Sequence, residues 1–240
     1  MNNHFSKKYG QVFLNDKNIA VKEVKSLNLN DNDSVLEIGP GYGILTDILL
    51  KYNIKLTSIE PDHKFYTYLL EKYNNYIKSK KFNLIKESFL ETEPEYYNKI
   101  IGNIPYNLSS KIIFKLFDFD FDYSILMVQK EFALRLIARP GTKDFSRLTV
   151  NTGIRSEINI LFNVSRTVFS PVPNVDSSVI SIKKKKCDID IINFDKFLIK
   201  IFSMRRKKLS TILKYNGIYS DRRPYELNID ELITVFESLS

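Results

Sequence analysis

The 240-residue chain is poor in residues that build covalent or metal-based frameworks, with one cysteine, Cys187, and two histidines. A single cysteine excludes an internal disulfide, and together with only two histidines it disfavours a zinc site. No apolar run approaches the ~20 residues needed to span a bilayer. The N-terminal residues also lack the sustained apolar stretch of a signal peptide. With no internal repeat or low-complexity linker, the sequence predicts a globular enzyme or binding protein of the cytosol.

The positive charge of the chain is concentrated in one segment. Residues 183–214 contain eleven basic and three acidic residues, and their net charge of +8 equals that of the whole chain. A solvated, lysine-rich helix face is one explanation. Because the entire net positive charge lies in this one segment, a polyanion-binding surface is the favoured explanation. The basic residues predicted to bind the polyanion are Lys183, Lys184, Lys185, Arg205, Arg206, Lys207 and Lys208.

Short apolar runs alternate with longer helical patterns over the first three quarters of the chain, which indicates parallel β-α-β units. The predicted strands are 34–39, 56–60, 82–87, 99–104, 123–129 and 178–184, with helices over 44–52, over 63–78 and from Ser109. Beyond Cys187 the pattern becomes helical and basic. We therefore predict a doubly wound α/β domain over 1–186 and a small helical domain over 187–240.

Three glycines follow the first predicted strand in the segment EIGPGYG (37–43). They allow the backbone to approach a ligand at the carboxyl edge of the sheet, where open α/β sheets bind ligands. The third glycine comes one residue too early for the dinucleotide fingerprint, which disfavours NAD. Glu60 ends the second predicted strand, where a carboxylate can accept hydrogen bonds from both ribose hydroxyls. These features favour S-adenosylmethionine as the cofactor, and a plain tight turn is the structural alternative.

The segment NIPYN (103–107) follows the fourth predicted strand and has groups suited to binding the exocyclic amine of adenine. The lone pair of that amine is delocalised into the ring, so acceptors for its N–H groups are needed to direct the pair toward a methyl donor. The Asn103 side-chain oxygen and a main-chain carbonyl can supply them, Pro105 fixes the turn, and Tyr106 can stack on the purine. Catalysis would then depend on positioning and electrostatics. A proline-terminated strand with a buried tyrosine is the structural alternative.

With these motifs in place, the chain resembles the ribosomal RNA adenine N6,N6-dimethyltransferases, which include the KsgA-type small-subunit enzymes and the erythromycin-resistance methylases. The resemblance extends nearly end to end and implies a Rossmann-like class I methyltransferase sheet. Besides EIGPGYG and NIPYN, the matching segments are YGQVFL (9–14), IEPD (59–62), MVQKEFALRLIARPG (127–141) and FSPVPNVDSSV (169–179).

The resemblance also implies roles for individual residues. The target amine would be held by Asn103 and the Ile104 carbonyl, beside Pro105, and the flipped adenine would lie between Tyr106 and Phe169. The implied cofactor-binding residues are Gln11, Phe13, Leu14, Glu37, Gly39, Gly41, Glu60, Glu87 and Asn103.

Two positions depart from the pattern of the family. Val12 stands where the family usually has Asn or His, so a polar cofactor contact is lost there or supplied elsewhere. Glu87 stands where the family usually has Asp, and the longer acid would have to keep the contact to the cofactor adenine.

The C-terminal segments FSMRRKKLSTILK (202–214) and RPYELNIDEL (223–232) resemble the KsgA-type group. This implies dimethylation of two adjacent adenosines in the 3′-terminal hairpin of small-subunit rRNA, with a link to ribosome biogenesis. We also expect a cytoplasmic monomer, because no apolar surface stripe is evident in the sequence. The alternatives left open are a large-subunit rRNA methyltransferase of the erythromycin-resistance type, a DNA adenine methyltransferase, and an RNA-binding ribosome-assembly factor.

Overall fold

The structure, a computed structural model, describes residues 12–239. The chain divides into two compact units. The first comprises the residues up to Lys130 together with Asn159–Lys184, and the second comprises Glu131–Ile158 together with the residues from Lys185 onward. The predicted division at 186/187 lies two residues from the last crossing between the units. The prediction placed residues 131–158 in the first domain, whereas they belong to the second unit. The sequence shows no change of composition there that would have indicated this.

The first unit is built on a seven-stranded sheet with the order β4-β3-β2-β5-β6-β9-β7. Strands β2 to β6 pair in parallel, and β9 returns antiparallel to β6. A second, two-stranded sheet pairs β1 with β8. The strands are β1 (Phe13–Leu14), β2 (Ser34–Ile38), β3 (Lys55–Ile59), β4 (Phe82–Ile85), β5 (Tyr96–Asn103), β6 (Asp120–Gln129), β7 (Ser156–Val164), β8 (Phe169–Ser170) and β9 (Ser177–Lys184).

The strand order reverses between β2 and β5, and helices cross over between the parallel strands, as in a doubly wound fold. A hydrophobic core packs against the sheet of this unit. Its buried members from the central strands include Val35, Leu56 and Ile101. The helices of the chain are α1 (Lys17–Ser26), α2 (Thr46–Leu49), α3 (His63–Lys72), α4 (Asn74–Lys78), α5 (Ser109–Leu116), α6 (Lys130–Leu136), α7 (Arg147–Arg155), α8 (Ile191–Ser203), α9 (Leu209–Leu213) and α10 (Ile229–Glu237).

The second unit has its own apolar core, to which α7, α8, α9 and α10 contribute. Helix α8 begins at the cap residue Asp190, whose Oδ1 accepts the backbone N–H groups of Ile192 and Asn193, both at 3.1 Å. Its inward face buries Phe194, Leu198 and Ile201 at helical spacing. The helical character predicted beyond Cys187 is therefore observed.

Two local predictions differ from the structure. The helix predicted over 63–78 is two helices, α3 and α4, because the backbone leaves helical geometry at Tyr73. The strand β7 was not predicted, although its exposure alternates along 156–164 as expected for an edge strand with one face covered. No helix within 12–239 combines the length and apolar character needed to cross a bilayer.

Candidate active site

A cavity of about 500 Å³ opens at the carboxyl ends of the central parallel strands of the first unit. Its wall is formed by the segments that follow β2, β3, β4 and β5, together with β1. This is the position where open α/β sheets bind ligands, and the volume suits a small organic molecule. The lining residues include Phe13, Leu14, Glu37, Gly39, Gly41, Glu60, Glu87, Asn103, Ile104 and Pro105.

The glycine turn after β2 leaves room for a ligand against the backbone. Gly39 has a positive φ of +67°, and a Cβ atom added there would meet no other atom within 4 Å. A side chain at this position would be strained and would project into open space beside the cavity. The turn therefore provides the bare backbone surface that the sequence predicted.

Glu60 follows β3 and fastens the glycine turn. Its Oε2 accepts the backbone N–H of Gly41 at 3.1 Å, and its Oε1 accepts that of Asp62 at 2.9 Å. Burial raises the pKa of Glu60 to about 7, against the lowering effect of these two hydrogen bonds. Each oxygen retains a further acceptor site for a ligand hydroxyl.

Glu37 ends β2 beneath the same turn and is buried. Its Oε2 accepts the hydroxyls of Thr46 and Ser58, each at 2.7 Å, while its Oε1 has no hydrogen-bond partner within the described residues. Burial raises the pKa of Glu37 to about 7. The carboxyl group ties β2 to β3 and to the start of α2, so its structural role is visible independently of any ligand.

A hydrogen-bonded group beneath the turn was not predicted. The Tyr73 hydroxyl lies 3.0 Å from the Gly43 carbonyl oxygen and 2.7 Å from Asp47 Oδ1, and its single proton is shared between these acceptors. Lys72 Nζ donates to Asp47 Oδ2 at 2.9 Å and to the Tyr42 carbonyl at 3.2 Å. Burial raises the pKa of Tyr73, which keeps the phenol protonated as a donor.

We predict that Tyr73→Phe loosens this turn. The change removes the hydroxyl that the Gly43 carbonyl and Asp47 Oδ1 share, at a cost of about 0.5–1.5 kcal/mol. The Gly43 carbonyl keeps its second donor, the backbone N–H of Asp47 at 2.9 Å. The melting temperature should fall, and affinity for S-adenosylmethionine, measured by calorimetry, should fall by about fivefold or more. Tyr76→Phe is the matched control, because Tyr76 is 40% exposed in the adjacent helix α4. If the two variants had the same melting temperature and the same cofactor affinity, the Tyr73 hydroxyl would not stabilise the turn.

Asn103 is the last residue of β5 and lies at the wall of the cavity. The backbone is fixed there because the Ile104 N–H donates to the Met127 carbonyl of β6 at 3.3 Å. The Asn103 Oδ1 atom is buried and has no hydrogen-bond partner within the described residues. A buried acceptor without a donor is costly and marks a position where a ligand N–H can bind.

Tyr106 follows in a short 3-10 turn, Tyr106–Leu108. Its hydroxyl lies 2.6 Å from Ser177 Oγ at the start of β9, and Ser177 is fully buried. Burial raises the pKa of Tyr106. The hydrogen bond fixes the edge of the ring, although Tyr106 is not among the residues that line the cavity.

Phe169 is brought to this unit's small sheet by its pairing with Leu14. The ring is only 4% exposed and packs in the apolar core, outside the residues that line the cavity. Stacking of Phe169 on a target base therefore stays a prediction that would require the ring to become accessible. Gln11 lies outside the described residues.

The predicted basic residues differ in their surroundings. Lys184 Nζ donates to the Phe119 carbonyl at 2.7 Å, Arg205 donates to the carbonyls of Lys143 and Thr142, and Lys208 pairs with Asp221 at 2.8 Å. Such contacts compete with a polyanion for these side chains. The exposed members without an ion pair or side-chain hydrogen bond inside 12–239 are Lys183, Lys185, Arg206 and Lys207.

Several lining residues were not singled out from the sequence, among them Phe89, Leu90, Leu108 and Ile112. Phe89 is held by stacking on Phe119, with ring centroids 4.9 Å apart. An apolar run following a strand, such as the pair Phe89 and Leu90, is a weak signal, because it resembles any core segment.

These features fit an adenosine cofactor without phosphates. The Gly39 surface, the Glu60 carboxylate and the apolar walls suit the methionine chain, the ribose and a purine. Among the described residues that line the cavity, Lys86 is the only basic one. The fold and this site define an S-adenosylmethionine-dependent class I methyltransferase.

Residues 2–234 match the family described as ribosomal RNA adenine dimethylase. The chain belongs to this family, which confirms the predicted fold class, enzyme class and cofactor.

Individual relatives agree with this assignment. The chain is 45% identical to the ribosomal RNA small subunit methyltransferase A of Malacoplasma penetrans, over 87% of this chain and 78% of that protein. It is 43% identical to the protein of the same name from Mycoplasma mobile, over 89% of this chain and 85% of that protein.

Solved structures show the same relationship. A dimethyladenosine transferase from Plasmodium falciparum superposes with a TM-score of 0.86 at 25% identity, covering 95% of this chain and 97% of that chain. The 23S rRNA methyltransferase ErmE superposes with a TM-score of 0.70 at 25% identity, covering 95% and 99%.

Proposed function

We propose that the protein transfers methyl groups to the N6 amines of two adjacent adenosines in the 3′-terminal hairpin of small-subunit rRNA, dimethylating each. The single observation that supports this most strongly is the buried Oδ1 of Asn103 at the wall of the cavity, which has no hydrogen-bond partner among residues 12–239. The small-subunit assignment, as against the large-subunit alternative, rests on the names of the curated relatives. The enzyme would act in the cytoplasm as a monomer.

In this proposal S-adenosylmethionine supplies the electrophilic methyl group when it is bound. Glu60 accepts hydrogen bonds from the ribose, and Glu87, at the wall after β4, contacts the adenine of the cofactor. Val12, Phe13 and Leu14 form an apolar part of the same wall. Exclusion of water by these residues strengthens each polar contact within the cavity.

The substrate amine is proposed to bind between two acceptors of this chain. Asn103 Oδ1 and the Ile104 carbonyl accept its N–H groups, which localises the nitrogen lone pair and directs it toward the methyl group. The base must leave its stack to reach Asn103, and Tyr106, fixed by Ser177, offers a ring on which it can stack. No general base is needed, because the methylated amine is acidic and loses its proton readily.

The labelling experiment tests the proposal directly. The protein is incubated with S-adenosylmethionine labelled in its methyl group and with small subunits that lack the modification, and the labelled bases are mapped. We expect label on two adjacent adenosines near the 3′ end and none on large subunits. Label confined to large-subunit RNA would replace the proposed substrate by the erythromycin-resistance type.

The exposed basic residues of the second unit are proposed to bind the RNA backbone. Arg206→Gln combined with Lys207→Gln should weaken RNA binding and reduce the slope of log K against log salt by about 1–2, because fewer counterions are released. Filter binding over a range of salt concentrations measures this slope.

Lys51→Gln combined with Lys78→Gln is the matched control for that variant. Both lysines are exposed in the first unit, and their replacement changes the net charge by the same amount. An equal change of slope in the two double variants would mean that overall charge, and not a local surface, determines RNA affinity.

A further inference from the structure

Strand β1 forms one wall of the cofactor cavity, although its own backbone pairing is short. Its two residues, Phe13 and Leu14, pair with the two residues of β8. The Asn15 N–H adds a hydrogen bond to the Val168 carbonyl at 2.9 Å. The other walls follow strands of the seven-stranded sheet. Because a pair of such short strands is marginally stable by itself, the position of β1 depends on how its side chains pack.

The side chains along this wall can bind a ligand only by surface contact. Val12, Phe13 and Leu14 all line the cavity, and none of these side chains can donate or accept a hydrogen bond. A gap of about 0.5–1 Å already removes a quarter to a half of the attraction between two apolar surfaces. The affinity of the cavity for S-adenosylmethionine therefore depends on where β1 lies.

A cluster of three aromatic rings joins β1 to the glycine turn and to helix α3. The ring centroids of Phe13 lie 4.8 Å from those of Tyr42 and 5.2 Å from those of Phe65, and Tyr42 and Phe65 are 4.8 Å apart. The Phe13–Tyr42 and Tyr42–Phe65 pairs are edge-to-face, an arrangement that stabilises beyond the area it buries. Tyr42 lines the cavity and is 38% exposed, whereas Phe65 is 5% exposed and forms the buried base of the cluster.

Gly41 has no side chain at the place where the Phe13 ring packs. A Cβ atom added to Gly41 would lie 3.0 Å from Phe13 Cε1 and 3.3 Å from Phe13 Cδ1, whereas one added to Gly39 would meet no atom within 4 Å. The absence of a Cβ atom permits this close approach of ring and backbone. The two glycines therefore differ, because Gly39 leaves room for a ligand and Gly41 leaves room for the ring that packs β1 against the turn.

We propose that Tyr42 and Phe65 are positioning residues that hold Phe13, and with it β1, against the glycine turn before the cofactor binds. Binding then does not have to order this wall, and a wall formed in advance raises affinity for that reason. The inference concerns the cofactor site alone. It goes beyond the proposed function and does not depend on which RNA is methylated.

The first test uses the full-length protein with Tyr42→Leu, which keeps an apolar side chain and removes the ring. The dissociation constant for S-adenosylmethionine, measured by calorimetry, should rise by about 5- to 10-fold, because the two edge-to-face contacts are lost. Tyr42→Phe keeps the ring and should bind within about twofold of wild type. If Tyr42→Phe bound as weakly as Tyr42→Leu, the hydroxyl and not the ring would be responsible, and the proposal would be wrong.

Phe65→Leu tests the base of the cluster, which is not among the described residues that line the cavity. Its dissociation constant should also rise by about 5- to 10-fold. In the double variant with Tyr42→Leu, the rise should be smaller than the product of the two single effects, because both residues act through Phe13. Single effects that simply multiplied would contradict this shared action.

Tyr68→Leu is the matched control for the ring. Tyr68 is 42% exposed and lies at the outer edge of the cluster, with its ring centroid 5.9 Å from that of Tyr42. Its replacement should leave cofactor affinity within about twofold of wild type. A loss as large as that of Tyr42→Leu would show that any aromatic ring on this surface affects binding, and the specific role of the contacts to Phe13 would be refuted.

Hydrogen exchange in the protein without cofactor tests whether the wall is formed in advance. The Asn15 N–H, which donates to the Val168 carbonyl next to β1, should exchange about 5- to 10-fold faster in Tyr42→Leu and at the wild-type rate in Tyr42→Phe. The Ile104 N–H, which donates to the Met127 carbonyl in the central sheet, should keep its rate in both variants. An unchanged Asn15 rate in Tyr42→Leu would overturn the proposal, whichever RNA the labelling experiment identifies.

Discussion

Asn103→Ala is expected to reduce methyl transfer by about 1,000-fold while RNA affinity and cofactor affinity change little. The buried Oδ1 of Asn103 has no partner among the described residues, so its removal costs the folded protein little. The same removal deprives the developing transition state of an oriented acceptor, an interaction that is worth about 100- to 1,000-fold in comparable sites. The effect should therefore appear in kcat, with KM for RNA nearly unchanged.

Single-turnover transfer of labelled methyl groups to small subunits measures this effect, and filter binding measures RNA affinity. Asn107→Ala is the matched control, because Asn107 belongs to the same short segment but is exposed and does not line the cavity. We expect nearly full activity from the control. Wild-type turnover by Asn103→Ala would contradict the mechanism, and a parallel loss of RNA affinity would make Asn103 a binding residue.

The features that the sequence predicted correctly are those encoded over short distances. The central strands are continuous apolar runs, because both faces of a parallel sheet are covered, and five of the six predicted strands overlap β2 to β6. Gly39 and Asn103 lie at the carboxyl ends of their predicted strands, so their place at the edge of the sheet follows from the strand prediction alone. Both residues line the cavity, as this prediction requires.

The features that the sequence did not predict depend on partners far along the chain. Tyr73 supports the glycine turn from 30 residues away, and nothing near Tyr73 indicates that its hydroxyl will reach Gly43. Arg205 looked like an RNA-binding residue because of its basic neighbours, yet it donates to two carbonyls some 60 residues earlier. Glu23 is a further example, because it is fully buried in α1, whereas in the sequence it looks like a solvated acid of a helix.

Glu60→Gln is expected to weaken S-adenosylmethionine binding by about 100-fold. The wild-type carboxylate accepts two backbone N–H groups and keeps acceptor capacity for the two ribose hydroxyls. The amide of glutamine has one acceptor oxygen, and its NH₂ group would face a backbone N–H or a ligand hydroxyl. Losing two hydrogen bonds to a charged group, each worth about 1.5–3 kcal/mol, accounts for this magnitude even after partial compensation.

The pH dependence of binding gives the same residue a second test. In the proposed complex the ribose hydroxyls donate to the ionised form of Glu60, so cofactor binding should lower a pKa that burial has raised to about 7. Affinity should therefore rise with pH up to about 7 and level off above it, and binding near pH 7 should release a fraction of a proton. Calorimetry in phosphate and in Tris, whose ionisation enthalpies differ, measures that release.

Glu37 must be separated from Glu60 in this experiment, because burial also raises the pKa of Glu37 to about 7. Its Oε2 is already engaged by the hydroxyls of Thr46 and Ser58, so its environment should change little when the ribose binds. Proton release should accordingly disappear in Glu60→Gln measured at saturating cofactor. If Glu60→Gln still released the same fraction of a proton on cofactor binding, the proton would come from Glu37. The proposed contact between Glu60 and the ribose would then be wrong.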